Sequence, residues 1–183
     1  MSTSVSASSE HAAEGAANSL VRVVVYEDLQ CSDCEDFRKA LDEHLLPKYR
    51  SQVAFEYRDF PLARHDWARK AAIASRFVFA AKPESAVDFR RYVMSHLGEI
   101  NIANFNEVFA RYAEEHGMDS AKALAALDDE RLAEAVQADV DEAAARGITR
   151  TPSVLVNYYT AFIMSFTWEE VAEAIDSELA SVE

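Results

Sequence analysis

The chain has 183 residues, half of them apolar and 27% charged, the profile of one globular domain with a sizeable core. Eighteen basic residues against 32 acidic ones give a net charge of -14, which argues against a nucleic-acid binder and against docking on an anionic membrane. Two cysteines are too few for a disulfide-rich scaffold, and no apolar run approaches the roughly 18 residues of a membrane span.

Residues 1–19 are rich in Ser and Ala and predict a flexible tail, because they can bury too little to offset the entropy of ordering. Residues 1–21 also lack the basic start and the apolar block of a secretory signal, which points to the cytoplasm. A chain trimmed of its signal and restarted with Met would read the same and be extracytoplasmic.

The remaining residues, 20–183, read as one domain. Leu20 to Tyr26 is short, β-branched and nearly all apolar, a strand buried on both faces. Cys31-Ser32-Asp33-Cys34 opens a helix that runs to about His44, with Pro47 near its end. Gln52 to Tyr57 alternates and predicts a second strand, completing a βαβ unit. Residues 65–146 carry only helical stripes, closing at Gly147. Thr151 to Val156 begins a further strand, and Thr160 to Ser165 pairs with it. Thr167 and Glu170 form a capping box for a last helix.

Cys31 and Cys34 carry the chemistry. Residues three apart on a helix share a face, within adjustment of disulfide range. The helix N-terminus presents free N–H groups and the positive dipole end to Cys31, and both favour thiolate, the nucleophile. Cys34 sits one turn deeper. The order assigns Cys31 as the attacking thiol and Cys34 as the resolving one. Three competing readings remain: a zinc site, which needs two further ligands that no H-x₃₋₅-H pair supplies; a structural disulfide over a short loop; and two inert buried thiols. Thr151-Pro152, about 120 residues later, is either a strand-start proline or part of the same site.

Three stretches resemble the DsbA-like thioredoxin-fold oxidoreductases: residues 23–34, ending in Cys-Ser-Asp-Cys; Tyr57 to Leu62 followed by His65; and Gly147 to Ser153. The resemblance implies an α/β thioredoxin fold made of residues 20–64 and 147–180, with a helical insertion over 65–146. It implies a cis Pro152 packed against the cysteines and a Thr151 backbone that bonds an extended substrate peptide.

Departures from the family are specific. Ser32-Asp33 stands where relatives carry Pro plus an aromatic or His, and these two residues would modulate the pair. Asp33, with Glu35 and Asp36, is expected to raise the Cys31 pKa relative to a Cys-Pro-His-Cys enzyme. Val25 replaces the buried acid often found six residues before the first cysteine, so Glu27 or Asp28 substitutes only if one points at the pair. Asn157-Tyr158-Tyr159 lacks the usual glycine and predicts a different or longer turn. Phe162, Met164 and Phe166 read as core packing, or as an exposed peptide-binding or dimer patch. His65-Asp66 reads as a helix cap, and Arg90-Arg91 as a solvated face.

The expected function is thiol–disulfide exchange on protein or peptide thiols, with a redox partner and without cofactor, metal, nucleic acid or membrane span. Oxidase, reductase and isomerase directions stay open, as does the oligomeric state. The rival reading is a non-catalytic thioredoxin-like module that binds peptides or senses redox state. A third is a glutathione-linked enzyme on the same scaffold.

Overall fold

A computed structural model describes residues 10–163 and 165–182. At its centre is strand β2 (Arg22–Glu27), whose Val23, Val24, Val25 and Tyr26 are all fully buried. The run is apolar on both faces because both are covered. Strand β3 (Ala54–Asp59) lies parallel to β2 on one side. Strand β4 (Ser153–Val156) lies antiparallel on the other, followed by β5 (Thr160–Phe162). A short β1 (Ala13–Gly15) pairs antiparallel with β3, giving the order β1-β3-β2-β4-β5.

The expected tail therefore needs correction over residues 10–19, while residues 1–9 lie outside those described. Backbone pairing and specific charges hold this segment where apolar burial could not. Glu14 meets Arg38, Arg91 and Tyr57. His11 Nε2 donates to the Asp139 carboxylate at 2.8 Å. Gly15 has φ +88°, and a Cβ there would lie 2.4 Å from the Val53 carbonyl oxygen, so the sequence needs glycine at this crossing.

Helix α1 (Ser32–Ala40) continues through a π-turn (Leu41–Leu45) into α2 (Leu46–Tyr49), past the predicted end. Pro47 cannot donate to the ladder, and the wider turn before it accommodates that loss. Phe37, Leu41 and Leu45 pack with Val23, Val25, Phe55 and Tyr57 on one sheet face. Helix α8 (Trp168–Val182) adds Val171 and Ile175 to that layer. Its Thr167–Glu170 capping box forms in both directions.

The insertion comprises α3 (Ala68–Ala81), α4 (Ala86–Ser95), α5 (Phe105–Glu115), α6 (Ser120–Ala126) and α7 (Glu130–Ala145). Its own core joins Trp67, Phe89, Val93, Phe105, Phe109 and Tyr112. Leu29, Cys31 and Cys34 belong to this cluster, which puts the cysteines where insertion and sheet meet. Helix α7 covers the second sheet face with Ala143, beside Val24, Tyr26 and Leu155. Leu124 of α6 is exposed.

The hairpin after β4 has three residues between Val156 and its partner Thr160, one more than a two-residue Asn-Gly turn. Asn157 and Tyr158 have φ of 49° and 64°, and the Tyr159 N–H donates to the Val156 carbonyl at 3.1 Å. The turn stays tight without glycine because side chains hold it. Asn157 accepts from the Arg22 N–H and donates to Glu178, while Arg146 lies over the Tyr158 ring. Phe162 and Phe166 are half-buried against the core; Met164 lies outside the described residues.

Candidate active site

Cys31 is the N-cap of α1, with extended backbone and no side chain capping the helix. The first-turn N–H groups are therefore left to the sulfur. The Cys31 thiol is pulled down to about 6, chiefly by hydrogen bonding with the Cys34 side chain. Burial opposes the shift. The nearby Thr151 side chain and the backbone N–H groups of Cys34 and Asp33 support it. Asp33 thus acts on Cys31 chiefly as a backbone donor. Its carboxylate is exposed and screened by solvent. Ser32, also exposed, opens the helix.

Cys34 differs from Cys31 in proton affinity more than in exposure, since the two residues are 1% and 3% exposed. Burial pushes the Cys34 thiol up, and the hydrogen bond and charge of Cys31 add to this, as does the charge of Glu27. The Asp28 N–H donates to the Cys34 sulfur at 3.4 Å. Both cysteines are free thiols, and among the described residues no group of three or more His, Cys, Asp or Glu side chains could hold a metal ion.

The Thr151–Pro152 loop, remote in sequence but leading into β4 beside β2, reaches this pair. That peptide bond is cis. The Cys31 thiol faces the Thr151 carbonyl oxygen at 3.8 Å. Cys31, Cys34 and Thr151, far apart in sequence, thus share one site, and Pro152 lines the groove beside them.

A polar brace that sequence reasoning missed sets the turn before Cys31. The buried Asp28 carboxylate accepts from the Gln30 and Leu62 N–H groups and pairs with His65 Nδ1 at 2.7 Å. Gln30 in turn holds Asp66 and the Trp67 N–H. His65 and Asp66 are therefore not the cap expected of them: α3 starts after Trp67 without a side-chain cap, and both residues tie the insertion to the cysteine turn. The Asp28 carboxylate is taken up by these partners, and Glu27 is the acid whose charge reaches Cys34.

The solvated-face reading of Arg90-Arg91 is also overturned. Arg90 is buried, donating to Glu27 at 2.5 Å, Asp59 at 2.7 Å and Ser75 at 3.0 Å. Arg91 is half-buried between Glu14 and Asp42. Acidic residues at the ends of β2 and β3 need cations, and α4 supplies one. An acid at the end of an apolar strand, with an arginine on an inserted helix, was the available signal.

An open groove of about 660 Å³ runs from Pro152 between α1 and the start of α8. Phe37, Ile163, Phe166 and Trp168 are among its lining residues.

This fold and site define a class. The sequence profile of the family described as Thioredoxin matches residues 7–177. The chain belongs to that family, and it has the DsbA-like fold of the thiol–disulfide oxidoreductases. Oxidised BdbD from Bacillus subtilis superposes with a TM-score of 0.81 at 21% identity, over 93% of this chain and 94% of that one. α-DsbA1 from Wolbachia pipientis gives 0.79 at 18% identity, over 93% and 92%. The catalytic domain of Proteus mirabilis ScsC gives 0.74 at 17% identity, over 93% and 90%. Among curated sequences, Na(+)/H(+) antiporter NhaA 3 of Salinispora tropica is 32% identical over 138 residues, or 75% of this chain. The chain spans only 20% of that antiporter. No helix among the described residues is long and apolar enough to cross a membrane.

Proposed function

We propose that the chain exchanges thiols and disulfides on protein or peptide substrates, with Cys31 as nucleophile and Cys34 as resolving thiol. The Cys31 thiolate attacks a substrate disulfide, forming a mixed disulfide and releasing one substrate thiolate. Cys34 loses its proton and attacks the Cys31 sulfur, releasing the second substrate thiolate. The chain is left with a Cys31–Cys34 disulfide, which a dithiol partner reduces. The reverse sequence oxidises a substrate dithiol.

The observation that carries this reading is the split in proton affinity: Cys31 is lowered to about 6 while Cys34 is raised. One sulfur is a thiolate near neutral pH and the other keeps its proton until the mixed disulfide forms. Thr151 and Pro152 offer backbone beside Cys31 for an extended substrate segment, and Ser32 and Asp33 tune the first turn. A cytoplasmic setting suits such a chain acting as a reductase, since thiols there are kept reduced.

Insulin reduction driven by a dithiol tests the catalysis. Cys34→Ser should accumulate a mixed disulfide with substrate, and Cys31→Ser should accumulate none. Equal trapping by both variants would overturn the assignment. A chain that binds substrate peptide without catalysing exchange would be a binding module instead.

A further inference from the structure

The groove beside Cys31 has a character the exchange chemistry does not require. Its floor is aromatic: Phe37 and Phe166 meet edge to face at 5.4 Å, and Trp168 stacks on His44 at 4.3 Å. Three carboxylates, Asp33 and Asp36 of α1 and Glu169 of α8, line it. All three residues are exposed. Among the described residues Asp33 and Glu169 have no ion-pair partner, and Asp36 meets only Lys39, at 3.8 Å. One cation, Arg150, lines the groove. Glu170, next to Glu169, is engaged by the Thr167 N–H.

We infer that the three carboxylates make this groove select, among substrate segments with an apolar residue beside the reacting cysteine, those that also carry a lysine or arginine there. The inference rests on the exchange reading and names the substrate class for the same site. An apolar side chain removes its area from water against Phe37, Phe166 and Trp168. A cation next to it meets the carboxylates of both helices, whereas an acidic segment meets their repulsion. The charge of -14 on the whole chain adds a long-range attraction of the same sign. Because the carboxylates are exposed, their effect is on encounter and selection more than on tight binding, and salt weakens it.

Two peptide disulfides test this, identical except for paired Lys or paired Glu beside a Phe-Cys unit. Each rate of reduction by the reduced chain is divided by that of the same peptide with dithiothreitol, which removes intrinsic reactivity. Hydroxyethyl disulfide serves as a neutral substrate. We expect the Lys peptide to be favoured about fivefold at low ionic strength, falling towards parity in 0.5 M salt. In the double variant Asp36→Lys, Glu169→Lys the preference should reverse. If both peptides react equally, or the Lys preference persists after charge reversal whatever its salt dependence, the groove inference is wrong and the exchange reading stands. If neither peptide nor hydroxyethyl disulfide reacts, the exchange reading itself falls, and the inference with it. Salt also screens the attraction of the whole chain, so charge reversal in the groove decides the matter, and the single variants Asp36→Lys and Glu169→Lys each supply it if the double variant folds poorly.

Discussion

Arg90 donates to Glu27 across 2.5 Å with both side chains 2% exposed. Glu27 ends β2, four residues before Cys31, and Arg90 lies on α4 of the insertion. The pair therefore joins the two halves of the fold at the root of the cysteine turn. Asp59 and Ser75 complete the cage. Burying these charges is costly, and the arrangement holds because each carboxylate has its cation.

Removing the cation exposes that cost. Arg90→Met keeps most of the side-chain volume but leaves Glu27 and Asp59 buried without it, although Arg76 still reaches Asp59. The expected loss is about 3–5 kcal/mol of folding stability. Urea denaturation of the reduced chain measures it, and a loss below about 1 kcal/mol would show that the cage is not a structural tie.

The Cys34 side chain is the largest influence lowering Cys31. Cys34→Ala removes the donor, so Cys31 should titrate at higher pH. Thiolate absorbance against pH, with alkylation rate as a second readout, checks this. The unaltered chain should show its lower transition near 6. An unchanged transition in the variant would place control with the helix N-terminus alone.

That lowered thiol fixes a sign for stability against pH. Folded Cys31 loses its proton at about 6, against 9.0 for an ordinary thiol. The stabilisation of the reduced chain is therefore fully present above the unfolded value and is lost as pH falls through about 6. The oxidised chain has no such thiol. Denaturation of both redox forms at pH 5.5 and 8.5 should show the reduced form gaining on the oxidised form by about 3 kcal/mol. A difference independent of pH would contradict the thiolate assignment.

Thiolate stability also bears on redox poise, because a stabilised reduced form makes a stronger oxidant. At about 6, Cys31 lies nearer the thioredoxin thiol, about 7, than the DsbA thiol, about 3.5. The potential should accordingly lie nearer about -270 mV than about -120 mV. Equilibration against glutathione measures it, and a value above about -150 mV would refute the link drawn here.

Much of this site can be read from the chain because its signals are local. Cys-x-x-Cys after an apolar strand places the pair at a helix start, and the helical stripes of 65–146 separate the insertion from the sheet. What stayed hidden depends on partners remote in sequence. Arg90-Arg91 looks like a wet surface until α4 packs on β2 and β3. His65 pairs with Asp28 rather than with its neighbour Asp66. Asp139 is a single acid in an α7 stripe, yet it is buried, accepting from the Asp59 N–H and pairing with Arg76. Charge pairing carries no periodicity, so neither helical nor strand spacing reveals it.

The N-terminal segment offers the sharpest test of such remote partners. Its apolar content is low, and its order comes from backbone pairing with β3 and from Glu14 among Arg38, Arg91 and Tyr57. Gly15 is the point where geometry leaves no alternative. It has φ +88°, and any Cβ would collide with the Val53 carbonyl oxygen at 2.4 Å. That oxygen is fixed, since it accepts from the Ala16 N–H at 2.9 Å. Gly15→Ala must therefore break the β1 pairing or shift β3, at about 1–3 kcal/mol. The site should survive, because β1 is an edge strand remote from Cys31 in the sheet order. Hydrogen exchange should show the Glu14 and Ala16 amides losing protection while the β2 amides keep theirs, with Cys31 still titrating near 6. Retained protection at Glu14 and Ala16 in the variant would mean that the segment does not need this glycine to dock.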